Sequence, residues 1–217
     1  MAAGSERTRL CLVVPADAGA AGRERLVAAL VGGTVASVIL APRSGTTLDA
    51  ASARPVVDAI QRADIAALIW GDARLARTLK ADGVHLPASD DIMSAYGEAR
   101  EILGRGGIVG ADAGTSRHDA MQLGEAGADY IGFSLPPEAS SEDVGERLDR
   151  VQWWAEIFEP PCVAFDVTTP DDAAILAATG VDFVAFALPD GASPADARDC
   201  VSAFARAVAD ATARPPP

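Results

Sequence analysis

The sequence is poor in the residues from which compact chemical sites are usually built. Three cysteines, at positions 11, 162 and 200, are too few and too scattered for a disulfide framework or a zinc site. The two histidines, His85 and His118, fall on separate predicted elements and form no ligand cluster. Aromatic residues make up 5% of the 217 positions, and 18 Lys plus Arg face 31 Asp plus Glu, a formal charge of −13. Nucleic acid and anionic membranes reward clustered cations, so neither is expected as a partner. No apolar run approaches the roughly 20 residues that span a bilayer. Leu10-Cys11-Leu12-Val13-Val14 follows Arg7 and Arg9 and begins like a signal peptide, but Pro15 and Asp17 cut it short. A first strand accounts for it better. A cytoplasmic protein acting on a small-molecule ligand is expected, with room for a homodimer.

What the chain does have is a repeated joint. Leu79-Lys80-Ala81-Asp82-Gly83-Val84-His85-Leu86 and Gly127-Ala128-Asp129-Tyr130-Ile131-Gly132-Phe133 each run from a helix tail, through a small-residue turn with Asp, into a short apolar strand. Ala178-Thr179-Gly180-Val181-Asp182-Phe183-Val184-Ala185-Phe186 is a third copy. Such joints feed helices into the next strand of an alternating α/β fold.

The pattern predicts strands at Leu10–Val14, Val35–Leu40, Ala67–Trp70, Val84–Leu86, Ile108–Ala111, Tyr130–Ser134, Cys162–Phe165 and Phe183–Ala187. Helices are predicted near Arg23–Val31, Asp49–Arg62, Ala73–Lys80, Ile92–Leu103, Arg117–Glu125, Glu142–Phe158, Asp171–Ala178 and Pro194–Ala211. The strands are short and continuously apolar, as parallel strands covered on both faces should be. A single (β/α)8 TIM barrel over residues 1–213 follows, with a disordered Pro-rich tail at 214–217; a doubly wound open sheet is the rival. In a barrel, chemistry sits on the loops after the C-terminal strand ends.

The joints and the words around them resemble the thiamine phosphate synthase family and its TenI relatives. The resemblance rests on Gly71-Asp72, Lys80-Ala81-Asp82-Gly83-Val84-His85-Leu86, Gly110 opening a strand-end loop, and Gly127-Ala128-Asp129-Tyr130-Ile131-Gly132. It implies a magnesium-dependent transferase that joins a pyrimidine pyrophosphate to a thiazole phosphate and releases pyrophosphate. It also implies a metal role for Asp72 and Asp90, with Asp91 as the adjacent alternative. Magnesium takes one or two carboxylates plus phosphate oxygens and water. Each of these acids also precedes a predicted helix, where capping alone would explain it.

The phosphate-gripping words of the family are largely missing. Its Gln-x-Arg-x-Lys word becomes Ile39, Ala41 and Arg43, and its Gly-Gln-Glu-Asp word becomes Pro87-Ala88-Ser89-Asp90. A Ser and a His after strand five become Asp112 and Gly114. The lysine-bearing loop after strand six becomes Ser134-Leu135-Pro136-Pro137-Glu138-Ala139-Ser140-Ser141, without lysine. After strand seven, consecutive glycines that close on phosphate give way to Phe165-Asp166-Val167-Thr168; after strand eight, Asp190 adds another acid. An uncompensated unit charge about 4 Å from a bound anion repels it by about 4 kcal/mol at a surface-like dielectric.

Arg43, Asp112, Asp166 and Asp190 are therefore the candidate ligand-binding residues, with Asp72 and Asp90 the candidate metal ligands. Asp17, Asp72, Asp90, Asp91, Asp112, Asp166 and Asp190 all fall on predicted strand-end loops, against Arg43 as the cation there. A mouth lined by several of them suits a divalent metal or a cationic amine, whereas capping would turn them away from it. These departures predict a diverged ligand- or metal-binding or regulatory barrel. The alternative is an active synthase. His85 is expected as a hydrogen-bonded interior histidine, and Trp70 as a wall of the mouth.

Overall fold

The computed structural model describes residues 8–15, 19–43, 46–189 and 191–213. Asp17, Asp190 and the Pro-rich tail lie outside them. Strand and helix alternate: β1 (Arg9–Pro15), α1 (Ala20–Leu30), β2 (Val35–Ala41), α2 (Ala50–Gln61), β3 (Ala66–Trp70), α3 (Ala73–Leu79), β4 (Gly83–Leu86) and α4 (Ile92–Leu103). The second half follows as β5 (Ile108–Asp112), α5 (Arg117–Glu125), β6 (Tyr130–Phe133), α6 (Ser141–Ile157), β7 (Cys162–Ala164), α7 (Pro170–Ala177), β8 (Phe183–Ala187) and α8 (Pro194–Thr212). A short 3-10 turn at Gly104–Gly106 joins α4 to β5. The strands pair in sequence order, all parallel, and β1 closes on β8, making a closed eight-stranded barrel. Closure removes the rival open sheet.

Local chemistry explains the helix starts. Asp49, Ser116, Ser140, Thr169 and Ser193 cap their helices through side-chain oxygens, and Ser140 with Asp143 and Ser193 with Asp196 form reciprocal capping boxes. The repeated joint has an equally concrete cause. Asp82 Oδ2 accepts from the Ala67 amide at 2.8 Å, Asp129 Oδ2 from Val109 at 2.7 Å, and Asp182 Oδ2 from Cys162 at 2.8 Å. Each joint aspartate thus ties the strand it introduces to the start of the preceding one. Gly127 and Gly180, at φ 87°, supply the left-handed turn at two of the joints.

The core has two shells. Leu10, Leu12, Val38, Leu40, Ile69, Val84, Val109, Ile131 and Phe133 point outward under the helices. Cys11, Ile39, Leu68, Tyr130, Val163, Phe165 and Ala185 fill the barrel. Burial pushes the thiols of Cys11 and Cys162 up to about 12, which makes them inert packing residues as the sequence suggests. Gly110 differs from its sequence reading: it lies inside β5, and a Cβ there would fall 1.9 Å from Cζ of Tyr130. Its bareness makes room for an aromatic ring inside the barrel.

Candidate active site at the C-terminal mouth of the barrel

Alternation along β5 sends Ile108, Gly110 and Asp112 toward the barrel axis, which places Asp112 at the inner rim. Its carboxylate is buried, and Oδ1 accepts from the amides of Gly114 at 2.8 Å and Ser134 at 3.2 Å. Burial raises the Asp112 pKa, bonds from Ser134 and Gly114 pull it back, and the charge of Asp166 adds a smaller upward push. Beside it opens a cleft of about 350 Å³ walled by Asp90, Asp112, Asp119, Thr115, Ser116 and Ser134 among others. Asp119 was not a sequence candidate; it sits in the first turn of α5, where helix-start preference is a sufficient explanation.

Asp166 follows β7 with φ 58°, a left-handed backbone for which glycine is the usual residue and aspartate one of the tolerated ones. Its carboxylate has a partner in the neighbouring loop: Oδ2 accepts from the Leu135 amide at 2.9 Å. The ends of β6 and β7 are thereby joined. Arg147 of α6, fully buried, secures the same turn from behind. Nη1 donates to the Phe165 carbonyl, and Nη2 reaches both carboxylate oxygens of Asp172, at 3.0 and 2.8 Å. Arg147 sits on a helix among other charges, and nothing in its local sequence marks it as a buried bridge.

Asp72 and Asp90, the expected metal pair, line two different clefts. Asp72 is the N-cap of α3, with Oδ1 accepting from the Leu75 amide at 2.8 Å, and it lines a separate cleft with Arg74, Leu86 and Glu98. Asp90 lines the cleft shared with Asp112. Asp91 occupies the cap position of α4 but makes no capping bond. Among the described residues no group of three or more His, Cys, Asp or Glu is arranged to hold a metal ion. Arg43, on the β2–α2 loop, offers its carbonyl to Thr46 at 3.0 Å and is absent from the wall of the Asp90–Asp112 cleft. Asp190 lies outside the described residues.

His85 is an interior residue, as its setting between Val84 and Leu86 suggests. Nδ1 lies 2.9 Å from the Tyr130 hydroxyl, while Nε2 is buried without a partner. Trp70 and Phe165 flank the ring at centroid distances of 4.7 and 4.6 Å. Burial drives its pKa down to about 3, so the imidazole stays neutral at physiological pH. Tyr130 was missed as its partner because the pairing spans two strands that are not neighbours.

The thiamine monophosphate synthase family model matches residues 10–188. The chain belongs to this family. A thiamine-phosphate synthase of Erythrobacter litoralis is 36% identical over 211 residues, covering 94% of this chain and 97% of the relative. One from Hyphomonas neptunium is 37% identical over 188 residues, covering 82% and 84%. The thiamine phosphate pyrophosphorylase of Pyrococcus furiosus superposes with a TM-score of 0.74 at 21% identity, over 95% of this chain and 98% of that one, and so attests the fold. Family membership thus covers all eight strands, including the first two, where the sequence words fit least.

Proposed function

We propose that the chain is an active transferase of the thiamine-phosphate synthase type, acting in thiamine biosynthesis in the cytoplasm. The observation that carries this reading is the near full-length relation to a thiamine-phosphate synthase, at 36% identity over 94% of the chain. It favours the synthase over the diverged binding barrel that the missing phosphate words suggest. The reaction joins the methylene carbon of a pyrimidine pyrophosphate to the ring nitrogen of a thiazole phosphate. One C–O bond breaks, one C–N bond forms, and pyrophosphate leaves.

The mouth of the barrel suits one side of this chemistry better than the other. Asp90, Asp112 and Asp119 give the cleft a negative wall. Such a wall opposes the phosphates and favours the positive charge created on the thiazole nitrogen as the bond forms. Trp70, next to His85 at the end of β3, offers an apolar face near the rim.

Magnesium is the cofactor the family implies. The two carboxylates at the ends of β3 and β4 have the hard-oxygen chemistry it requires, and capping engages Asp72 through Oδ1. The donor set is sparse, and it fits an ion whose remaining ligands are substrate phosphate oxygens and water. Asp72 and Asp90 would hold it, and it would neutralise the departing pyrophosphate.

The test is incubation of the purified protein with the pyrimidine pyrophosphate, the thiazole phosphate and magnesium. Thiamine phosphate should form, and Asp72→Asn and Asp90→Asn should each lower its rate; asparagine keeps the cap at position 72 while removing the charge. Folded protein that forms no product would return the reading to a ligand-binding barrel.

A further inference from the structure

The N-terminal end of the barrel, opposite the mouth described above, holds a pocket of about 290 Å³. Its cause lies in the first three strands. Cys11, Ser37 and Ala66 stand side by side in register on β1, β2 and β3, and all three line the pocket. Large branched side chains ordinarily fill a barrel of this kind, and three small ones in a row leave room. β4 adds no side chain at this level, because it begins with Gly83. The facing wall carries the rings of Tyr130 and Phe183, with Val163 on the strand between them. Two charged residues, Arg9 and Asp129, stand exposed at the opening, and they are not equivalent. Asp129 Oδ2 is already engaged, by Arg100 at 2.6 Å and the Val109 amide at 2.7 Å. Arg9 stacks its guanidinium 4.5 Å from the Phe183 ring centroid and has no carboxylate partner among the described residues.

We propose that this pocket is a second ligand site, taking a small planar aromatic molecule that carries one carboxylate. An apolar cavity of roughly 150 Å³ admits a benzene ring, so the larger space here takes a ring with a short side chain. Tyr130 and Phe183 offer the ring aromatic partners, and Arg9 at the opening offers the carboxylate a cation. The pocket shares no lining residue with the Asp90–Asp112 cleft and lies at the other end of the barrel, so the assignment does not depend on the transferase reading.

Phenylacetate and its neutral counterpart phenylacetamide are titrated calorimetrically into the full chain, into Arg9→Gln, and into the double variant Ser37→Leu, Ala66→Leu, which places two branched side chains in the pocket. The wild type should bind phenylacetate at one site with a Kd of about 1 mM or tighter. Because Arg9 is exposed, the preference over the amide should be modest, about two- to fivefold, and Arg9→Gln should abolish it. The double variant should weaken both compounds by about tenfold or more. Should overpacking prevent that variant from folding, crystals of the wild type soaked in 4-bromophenylacetate locate the ligand directly, and the bromine should lie beside Tyr130 and Phe183. Failure of the wild type to bind phenylacetate would overturn the assignment. So would a preference that survives Arg9→Gln, full affinity in the folded double variant, or bromine found only at the C-terminal mouth.

Discussion

Asp112 and Asp166, at the ends of β5 and β7, hold consecutive amides of the segment between them, Ser134 and Leu135. Two like-charged side chains thus serve as struts between three neighbouring strand ends. The mouth of the barrel gains rigidity from groups that also make it negative.

Asp112 is the costlier of the two because it is buried. Its pKa is raised, so the native state holds this proton more tightly than the unfolded chain does. The resulting stability is present at acid pH and is lost as pH rises from the ordinary carboxylate value of 3.8 through the raised one. Asp112→Asn removes the charge and retains an acceptor for Gly114 and Ser134. The variant should melt above wild type at pH 7, by an amount worth about 1 kcal/mol, and the gap should narrow toward pH 4. A variant that melts lower at pH 7, with a gap that closes as pH falls, would mean that the charged form is the stabilised one.

His85 works in the opposite direction. Its pKa falls from 6.5 to about 3, so below pH 6.5 the unfolded chain takes a proton that the native state refuses. Stability is present above 6.5 and drains as pH falls toward 3, at up to about 1.4 kcal/mol per pH unit. His85→Gln should flatten this part of a urea-unfolding series run from pH 7 to pH 4. A slope that matches wild type would remove His85 as the acid-sensitive group.

Arg147 and Asp172 should be strongly coupled. Arg147→Ala takes the guanidinium from the Asp172 carboxylate and the buried donor from the Phe165 carbonyl, at a cost of about 3 kcal/mol in unfolding free energy. The double variant with Asp172→Ala should cost less than the sum of the singles, by roughly 1–3 kcal/mol. Additive losses would show that the pair contributes little beyond packing.

Gly110 should resist even the smallest side chain. A methyl group there collides with the Tyr130 ring, which must move and release His85. Gly110→Ala is expected to cost about 1–3 kcal/mol through overpacking. Tyr130→Phe, which strips the hydroxyl from His85 Nδ1, should cost about 1–3 kcal/mol through an unpaired buried polar atom. Combining Gly110→Ala with Tyr130→Phe should cost less than their sum, since both act on one contact; full additivity would place the strain elsewhere.

The joints at Asp82, Asp129 and Asp182 announced the barrel because each repeats one local arrangement: a helix end, a turn and a strand. Their role in tying strand starts together is the tertiary consequence of the same word. The acids at the mouth were far less legible. Asp72, Asp112 and Asp166 look alike in sequence, each an aspartate after an apolar strand. In the structure one caps a helix, one is a buried inner-rim acceptor, and one staples two loops. Arg147 gave no local sign, since its partners lie 18 and 25 residues away.

Periodicity, turn chemistry and capping act within a few residues, so the order of elements and the alternating α/β class were properties of the chain itself. Closure of β1 on β8, the pairing of His85 with Tyr130, and the bond between Asp166 and Leu135 depend on segments far apart in sequence. A side chain's direction and its partner exist only after the strands have closed. What each aspartate does was therefore decided by the barrel, and not by the words in which the residue is written.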